Sequence, residues 1–332
     1  MHSFDIRIDA TQAAGFDAPQ HLVGTVHLPE KRGQGRQVVI FATPGGGYTR
    51  QYFDMRFEGH AGYSEAEYHT DRGIIFVAID HLGVGESSID RIDEITVEKI
   101  ADCNDAFVRE IVSRLKAGSL TDKLPAIDSP FIVGIGQSMG GGITLIMQGR
   151  TGTFDAIAPL GISAIHTVIP QPSPEQFKAA RDLFMFSRQT PLGELAVSNT
   201  GAHIPDFNYP FHWEDEPEDI RLDDLKGGYP TRRTAPPYGS LTIPRCAVAM
   251  NSPGFYTPEV ARITVPVLMA GGVRDVSADM RREPSAFINS DDVSIFMVPR
   301  MAHMHNFANT RIMLWQRVAD WSEMQARRIL AV

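Results

Sequence analysis

"FIVGIGQSMGGG", residues 131–142, carries an apolar run straight into a serine set among glycines. The run 131–135 suits a strand buried on both faces, and the residues after Met139 read as a helix to about 149. A serine on such a strand-to-helix turn is held in a backbone geometry that presents its Oγ at the carboxyl edge of a sheet. Gly136 and Gly140, two before and two after Ser138, remove the side chains that would clash there. In a chain with 29 glycines the string alone does not decide the matter. Its surroundings have to.

Working outward, "RQVVIFATPGGGY" supplies a continuous apolar strand over 37–42 that ends in a proline and three glycines. "GIIFVAID", 73–80, is another, and it stops at "HLGVGESS". The segment 97–118 places Ile100, Ala106, Phe107, Ile111, Val112 and Leu115 at helical spacing. "FDAIAPLGIS", 154–163, is the next strand. The same rhythm returns with "ITVPVLMAGG", 263–272, a helix over about 278–288, "VSIFMVP", 293–299, and a final amphipathic helix over about 307–329. Apolar strands separated by helices predict a mostly parallel sheet in an α/β protein. Ahead of them, "FDIRIDA" at 4–10 and "HLVGTVHLP" at 21–29 suit an antiparallel hairpin or edge. Residues 164–262 break the rhythm, being rich in proline, aromatics and acidic side chains. They read as one insertion into a core formed by 1–163 and 263–332.

Bulk properties narrow the function. A formal net charge of −9 argues against a nucleic-acid partner. The 2 cysteines, Cys103 and Cys246, are too few for a disulfide framework and lie in no metal-type spacing. No apolar run is long enough for a bilayer, and "MHSFDIRIDATQ" lacks the basic head and apolar stretch of a signal peptide. The expectation is a cytoplasmic protein with neither membrane nor nucleic-acid partner.

With strand, elbow and helix in place, the chain resembles the α/β-hydrolase superfamily over 37–163 and 263–330. The resemblance implies the α/β-hydrolase fold, a mostly parallel central sheet flanked by helices, with residues 164–262 as a cap or lid. It also implies an order of Ser, acid and His along the chain, with the acid and the histidine each following a late strand. Here Ser138 is the candidate nucleophile, Asp275 in "VPVLMAGGVRDVS" the acid, and "VSIFMVPRMAHMHNF" offers two candidate bases, His303 and His305. Ala302, a small residue directly before His303, favours His303. His305, beside Asn306, is then a candidate for substrate contact. The oxyanion donors implied are the N–H of Met139 and those of Gly46 and Gly47 in "TPGGGY", with Tyr48 lining the site. Pro44 stands where the family's His-Gly-Gly-Gly loop carries histidine, so the loop's own hydrogen bonding and the donating glycine stay open. "AIDHLGVGESS" resembles the family's loop after the fourth strand, which makes Asp80, Gly83, Gly85 and Ser87 structural.

In the insertion, the seven carboxylates of "WEDEPEDIRLDD", 213–224, read as a solvated face. His203 and His212 read as lid or surface residues, and Arg232 and Arg233 as partners of the acidic run. The chemistry implied is hydrolysis of a carboxylic-ester-type bond through an acyl-enzyme, with no cofactor and no metal. The substrate is a small molecule, more apolar or aromatic than sugar-like. Lactone, thioester, amide or β-diketone carbon–carbon cleavage fits the same residues, and a non-catalytic small-molecule receptor is the rival from another class. Haloalkane and epoxide chemistry is disfavoured by a serine at the elbow.

Overall fold

The apolar runs become the strands of one sheet. A computed structural model describes residues 1–195, 207–229 and 231–328 of the chain. The strands are β1 (His2–Asp9), β2 (His21–Leu28), β3 (Val38–Thr43), β4 (Ile75–Ile79), β5 (Phe131–Gln137), β6 (Ala156–Leu160), β7 (Val267–Gly272) and β8 (Val293–Val298). Their order is β1-β2-β4-β3-β5-β6-β7-β8. β1 and β2 pair antiparallel, from His2 opposite Leu28 to Asp9 opposite His21, and β2 runs antiparallel to β4. From β4 to β8 all neighbours are parallel. β3 to β7 are buried at every position, as unbroken apolar strands covered on both faces should be.

The helices are α1 (Thr11–Ala14), α2 (Glu65–Asp71), α3 (Val97–Ala117), α4 (Met139–Thr151), α5 (Pro174–Leu183), α6 (Asn208–Phe211), α7 (Glu218–Leu225), α8 (Thr257–Val260) and α9 (Arg311–Arg328), of which α2, α3, α4 and α9 pack against strands of the sheet. α3 begins where the Thr96 side chain accepts from the N–H of Lys99 and ends at Gly118 in the left-handed conformation. Its Ile100, Phe107, Ile111 and Leu115 are fully buried, each contributing about 1.5–3 kcal/mol. Two helical spans come out shorter. The segment expected as a helix over 278–288 is a 3-10 stretch, Met280–Ala286, because Pro284 inside it cannot donate an N–H. The last helix starts at Arg311, after a separate 3-10 turn at His305–Phe307.

Residues 161–266, between β6 and β7, add no strand to the sheet among the described residues; they carry α5 to α8 and short 3-10 turns. An isolated bridge joins Tyr48 to Gly239 of this segment. His203 lies outside the described residues.

The turn at Ser138 explains its glycines. Ser138 has φ 53°, a positive value that L-residues with a Cβ adopt only under constraint. A Cβ on Gly136 would stand 2.2 Å from the backbone of Gly140, and one on Gly140 would stand 2.0 Å from the Thr43 carbonyl oxygen. Both obstacles are main chain, which cannot swing aside. Gly140→Ala is therefore expected to cost about 3 kcal/mol, the upper end for overpacking. Urea unfolding checks this: a midpoint equal to that of wild type would contradict the close approach.

Candidate active site

Four loops meet at the carboxyl ends of β3, β5, β7 and β8, where ligands gather in open α/β sheets. Ser138 follows β5, and its N–H is held by the carbonyl of Leu160 at the end of β6 (2.8 Å). Its Oγ lies 2.9 Å from Nε2 of His303, and Nδ1 of His303 lies 2.7 Å from Oδ1 of Asp275. The loop carrying His303 is held by three hydrogen bonds. Gln137 Nε2 donates to the His303 carbonyl (2.9 Å), and the N–H groups of His303 and Met304 donate to Pro210 and Phe211 (3.1 and 2.9 Å).

Asp275 accepts four hydrogen bonds. Oδ1 takes the His303 ring and the N–H of Val276 (2.7 Å); Oδ2 takes the N–H of Gly272 (3.0 Å) and Nε2 of His305 (2.6 Å). Burial by itself would push this carboxyl up. The imidazoles of His305 and His303 and their hydrogen bonds outweigh that and hold it well below the ordinary carboxylate range. An ionised Asp275 must receive a proton from His303 Nδ1, which leaves Nε2 as the acceptor facing Ser138. That is the arrangement in which an imidazole can remove a hydroxyl proton.

The sequence relationship agrees with the fold: a model of the alpha/beta hydrolase family matches residues 39–313. The chain belongs to the alpha/beta hydrolase family. No curated protein matches it in sequence. Solved structures of similar shape include a proline iminopeptidase from Mycobacterium smegmatis (TM-score 0.60, 14% identity, 93% of this chain and 97% of that one). Others are a thermophilic esterase from Thermogutta terrifontis (0.61, 16%, 97% and 99%) and a haloalkane dehalogenase loop variant from Bradyrhizobium elkanii (0.63, 11%, 99% and 99%). At such identities they establish the shared fold.

The site opens onto a cavity of about 100 Å3. Ser138, Met139, Gly46 and His303 border it, and its walls are chiefly apolar, among them Ile162, Ile169, Phe184, Phe211, Ile243 and Met250. Met139 is the first residue of α4, whose opening N–H groups have no acceptor within the helix. On the other side is the glycine loop after β3. Each carbonyl from Pro44 to Gly47 already has a donor: His81 Nε2 on Pro44 (3.0 Å), the Tyr48 N–H on Gly45 (3.2 Å), the Tyr229 hydroxyl on Gly46 (2.8 Å) and the Ser240 N–H on Gly47 (2.8 Å). Because a trans peptide sets N–H opposite C=O, these bonds also fix where the next N–H groups point. Gly46 borders the cavity; Gly47 does not.

His81 answers how the loop is held without a histidine at position 44. It is buried between Pro44 and Asn104, and burial drives it down to about 4, so the ring is neutral, accepting at Nδ1 from Asn104 (2.9 Å) and donating from Nε2. It lies inside "AIDHLGVGESS", where nothing in the spacing marks it as the anchor of a loop 37 residues away. Asp80 meanwhile accepts from the Arg50 N–H and guanidinium (both 2.6 Å) and from Glu86 N–H (3.0 Å), away from Ser138.

Several expectations need correction. Tyr48 does not line the cavity: it is fully buried, and its hydroxyl donates to Asp224 Oδ2 (2.7 Å). His305 does not line it either, being enclosed behind Asp275. His212 lies in the insertion, but it is not at the surface. Its side chain is wholly buried, with Nδ1 2.7 Å from Glu216 and Nε2 3.0 Å from Asp224. Burial disfavours its charge, but the two carboxylates prevail and raise it to about 9. The acidic run is thus split: Glu214, Glu218 and Asp219 are exposed, whereas Glu216 and Asp224 are enclosed. Arg232 joins the run as expected, donating to Asp224 Oδ1 (2.9 Å) and to its carbonyl (2.7 Å) while lying over the rings of Tyr48 and Tyr229.

The Tyr229 hydroxyl therefore links this ionic cluster to the glycine loop. Tyr229→Phe keeps the ring and deletes only the donor to Gly46. A buried hydrogen bond is worth about 1 kcal/mol, so kcat is expected to fall roughly five- to tenfold with KM little changed. Steady-state kinetics on the purified variant checks this, and an unaltered kcat would dissociate Tyr229 from the loop's function.

Proposed function

We propose that this hydrolase cleaves carboxylic-ester-type bonds through an acyl-enzyme on Ser138, with residues 164–262 acting as a cap that encloses the acyl group. The single observation that carries the reading is the chain of contacts from Ser138 Oγ to His303 Nε2 (2.9 Å) and from His303 Nδ1 to Asp275 (2.7 Å), ending at an apolar cavity.

In the proposed mechanism, His303 takes the hydroxyl proton as Ser138 Oγ attacks the substrate carbonyl. The imidazolium that forms is stabilised by Asp275, which stays ionised. Negative charge develops on the carbonyl oxygen and is met by the N–H groups of Met139 and of the glycine loop, Gly46 being the one that borders the cavity. His303 returns the proton to the leaving alcohol. Water, deprotonated by the same imidazole, then releases the acid. Among the described residues no carboxylate, lysine or arginine borders the cavity and most of its wall is apolar, so an apolar acyl group is the class that fits. At roughly 10–15 Å3 for each water-sized group, the volume holds on the order of seven to ten such groups.

Reaction with a fluorophosphonate followed by peptide mass spectrometry tests the reading. Ser138 should carry the label, and esters with acyl chains of intermediate length should be hydrolysed in preference to acetyl and palmitoyl esters. A folded protein that neither labels at Ser138 nor turns over any ester, lactone or thioester would overturn it.

A further inference from the structure

His305 stands on the second oxygen of the acid, and nothing in the route above uses it. Its Nε2 is 2.6 Å from Asp275 Oδ2, on the opposite side of the carboxylate from His303. The ring is 1% exposed, and Nδ1 has no hydrogen-bond partner among the described residues. Gly161, at the end of β6, lies directly against this ring: a Cβ there would come within 2.9 Å of His305 Cε1. The imidazole is therefore fixed in one pose. A carboxylate cannot donate, so Nε2 carries the proton that Oδ2 accepts.

We propose that His305 is a positioning residue: its Nε2–H holds the outer oxygen of Asp275, drawing off part of the carboxylate's charge and fixing the acid that orients His303. The backbone N–H groups of Gly272 and Val276 already set the plane of the carboxylate. The distinctive contribution of His305 is thus electrostatic. With His305 in place, Asp275 divides its charge between two imidazoles, which moderates the pull it exerts on the proton of His303 Nδ1. The other titratable groups around the pair have partners of their own. Tyr52, pushed well up by burial, accepts from the N–H of Asn306; Glu65 accepts from the Asn306 side chain (2.9 Å); Arg274 turns outward to Glu214 and the carbonyl of His212.

The inference rests on the reading of Asp275 and His303 as acid and base, so one readout is chosen that needs no substrate. The His303 Nδ1 proton, hydrogen-bonded to Asp275, is observed by NMR in wild type and in His305→Leu, His305→Asn and His305→Gln. Glutamine places an N–H where Nε2 stood; asparagine is too short, and leucine has none. The expected result is a downfield displacement in the Leu and Asn variants, where Asp275 keeps more charge, and a wild-type position in Gln. In kinetics, the acid limb of kcat/KM should move to higher pH by about half to one unit in Leu and Asn, with kcat lowered several-fold, KM nearly constant, and Gln close to wild type. A proton and an acid limb that stay put in all three variants would overturn the inference. Should His305→Leu fail to fold, the contrast between Asn and Gln carries the same decision. An NMR displacement in the Leu and Asn variants, in a protein whose wild type never labels at Ser138, would leave this inference standing while removing the hydrolytic reading.

Discussion

Ser138→Ala is expected to lower kcat/KM for an apolar ester by about 10^4-fold or more, while the protein folds as before. The estimate follows from how such groups act together. In the proposed mechanism, without the hydroxyl His303 and Asp275 have no nucleophile to activate, and only binding and the oxyanion donors are left to assist attack by water. His303→Ala should fall to nearly the same level, and the double variant no further, because the two residues form one unit. Stability separates a second consequence. Alanine keeps a Cβ at φ 53° and with it the strain of the turn, whereas Ser138→Gly relieves it. Set against the extra freedom glycine gains when unfolded, roughly 0.5–1 kcal/mol, the Gly variant should be as inactive as the Ala variant and up to about 2 kcal/mol more stable. Urea unfolding of both variants, alongside a turnover assay, checks the pair. Residual activity within tenfold of wild type in Ser138→Ala would place the nucleophile elsewhere.

The fold and the site were legible to different depths, and for physical reasons. Parallel strands buried on both faces leave unbroken apolar runs, so 37–42, 73–80 and 131–135 could be read directly, and residues just past strand ends follow from the topology. Pro284 is visible in the sequence but was absorbed into an apparent helical period; the structure has a 3-10 stretch there. His303 and His305, two residues apart in one loop, could not be separated by spacing. The structure sets them on opposite oxygens of one carboxylate, with only His303 reaching Ser138. The residues around Asp224 were hidden for another reason. Tyr48 and Asp224 lie 176 positions apart, and their contact depends on how the insertion folds back over the glycine loop. An acidic run carries no signal of which carboxylates turn inward. Only the pairing of Arg232 with the run was readable, from charge alone.

That cluster carries the second large effect. Asp224→Asn is expected to destabilise the protein by about 3–5 kcal/mol, the usual cost of removing one partner from a buried ionic group. Asp224 accepts from the Tyr48 hydroxyl, from His212 and from Arg232, with its side chain fully enclosed. Asparagine keeps one acceptor oxygen, turns an NH2 group toward existing donors, and among the described residues leaves Glu216 as the one enclosed carboxylate paired with His212. Leucine would remove every acceptor and should do worse. The pH dependence gives an independent check. His212 is raised to about 9 from an ordinary 6.5, so its share of the stability is complete below about 6.5 and is lost as the pH rises through 9. Asp224 is held below the usual carboxylate range: burial pushes it up, but His212 and Arg232 outweigh that. Its share is present above about 4 and disappears as the pH falls beneath it. Wild type should therefore show a stability plateau between these limits, measured as the urea midpoint against pH, and Asp224→Asn a lower and flatter curve. A curve that drops by several kcal/mol but keeps the wild-type shape would mean that the loss is one of packing, and that the charges of His212 and Asp224 do not depend on each other.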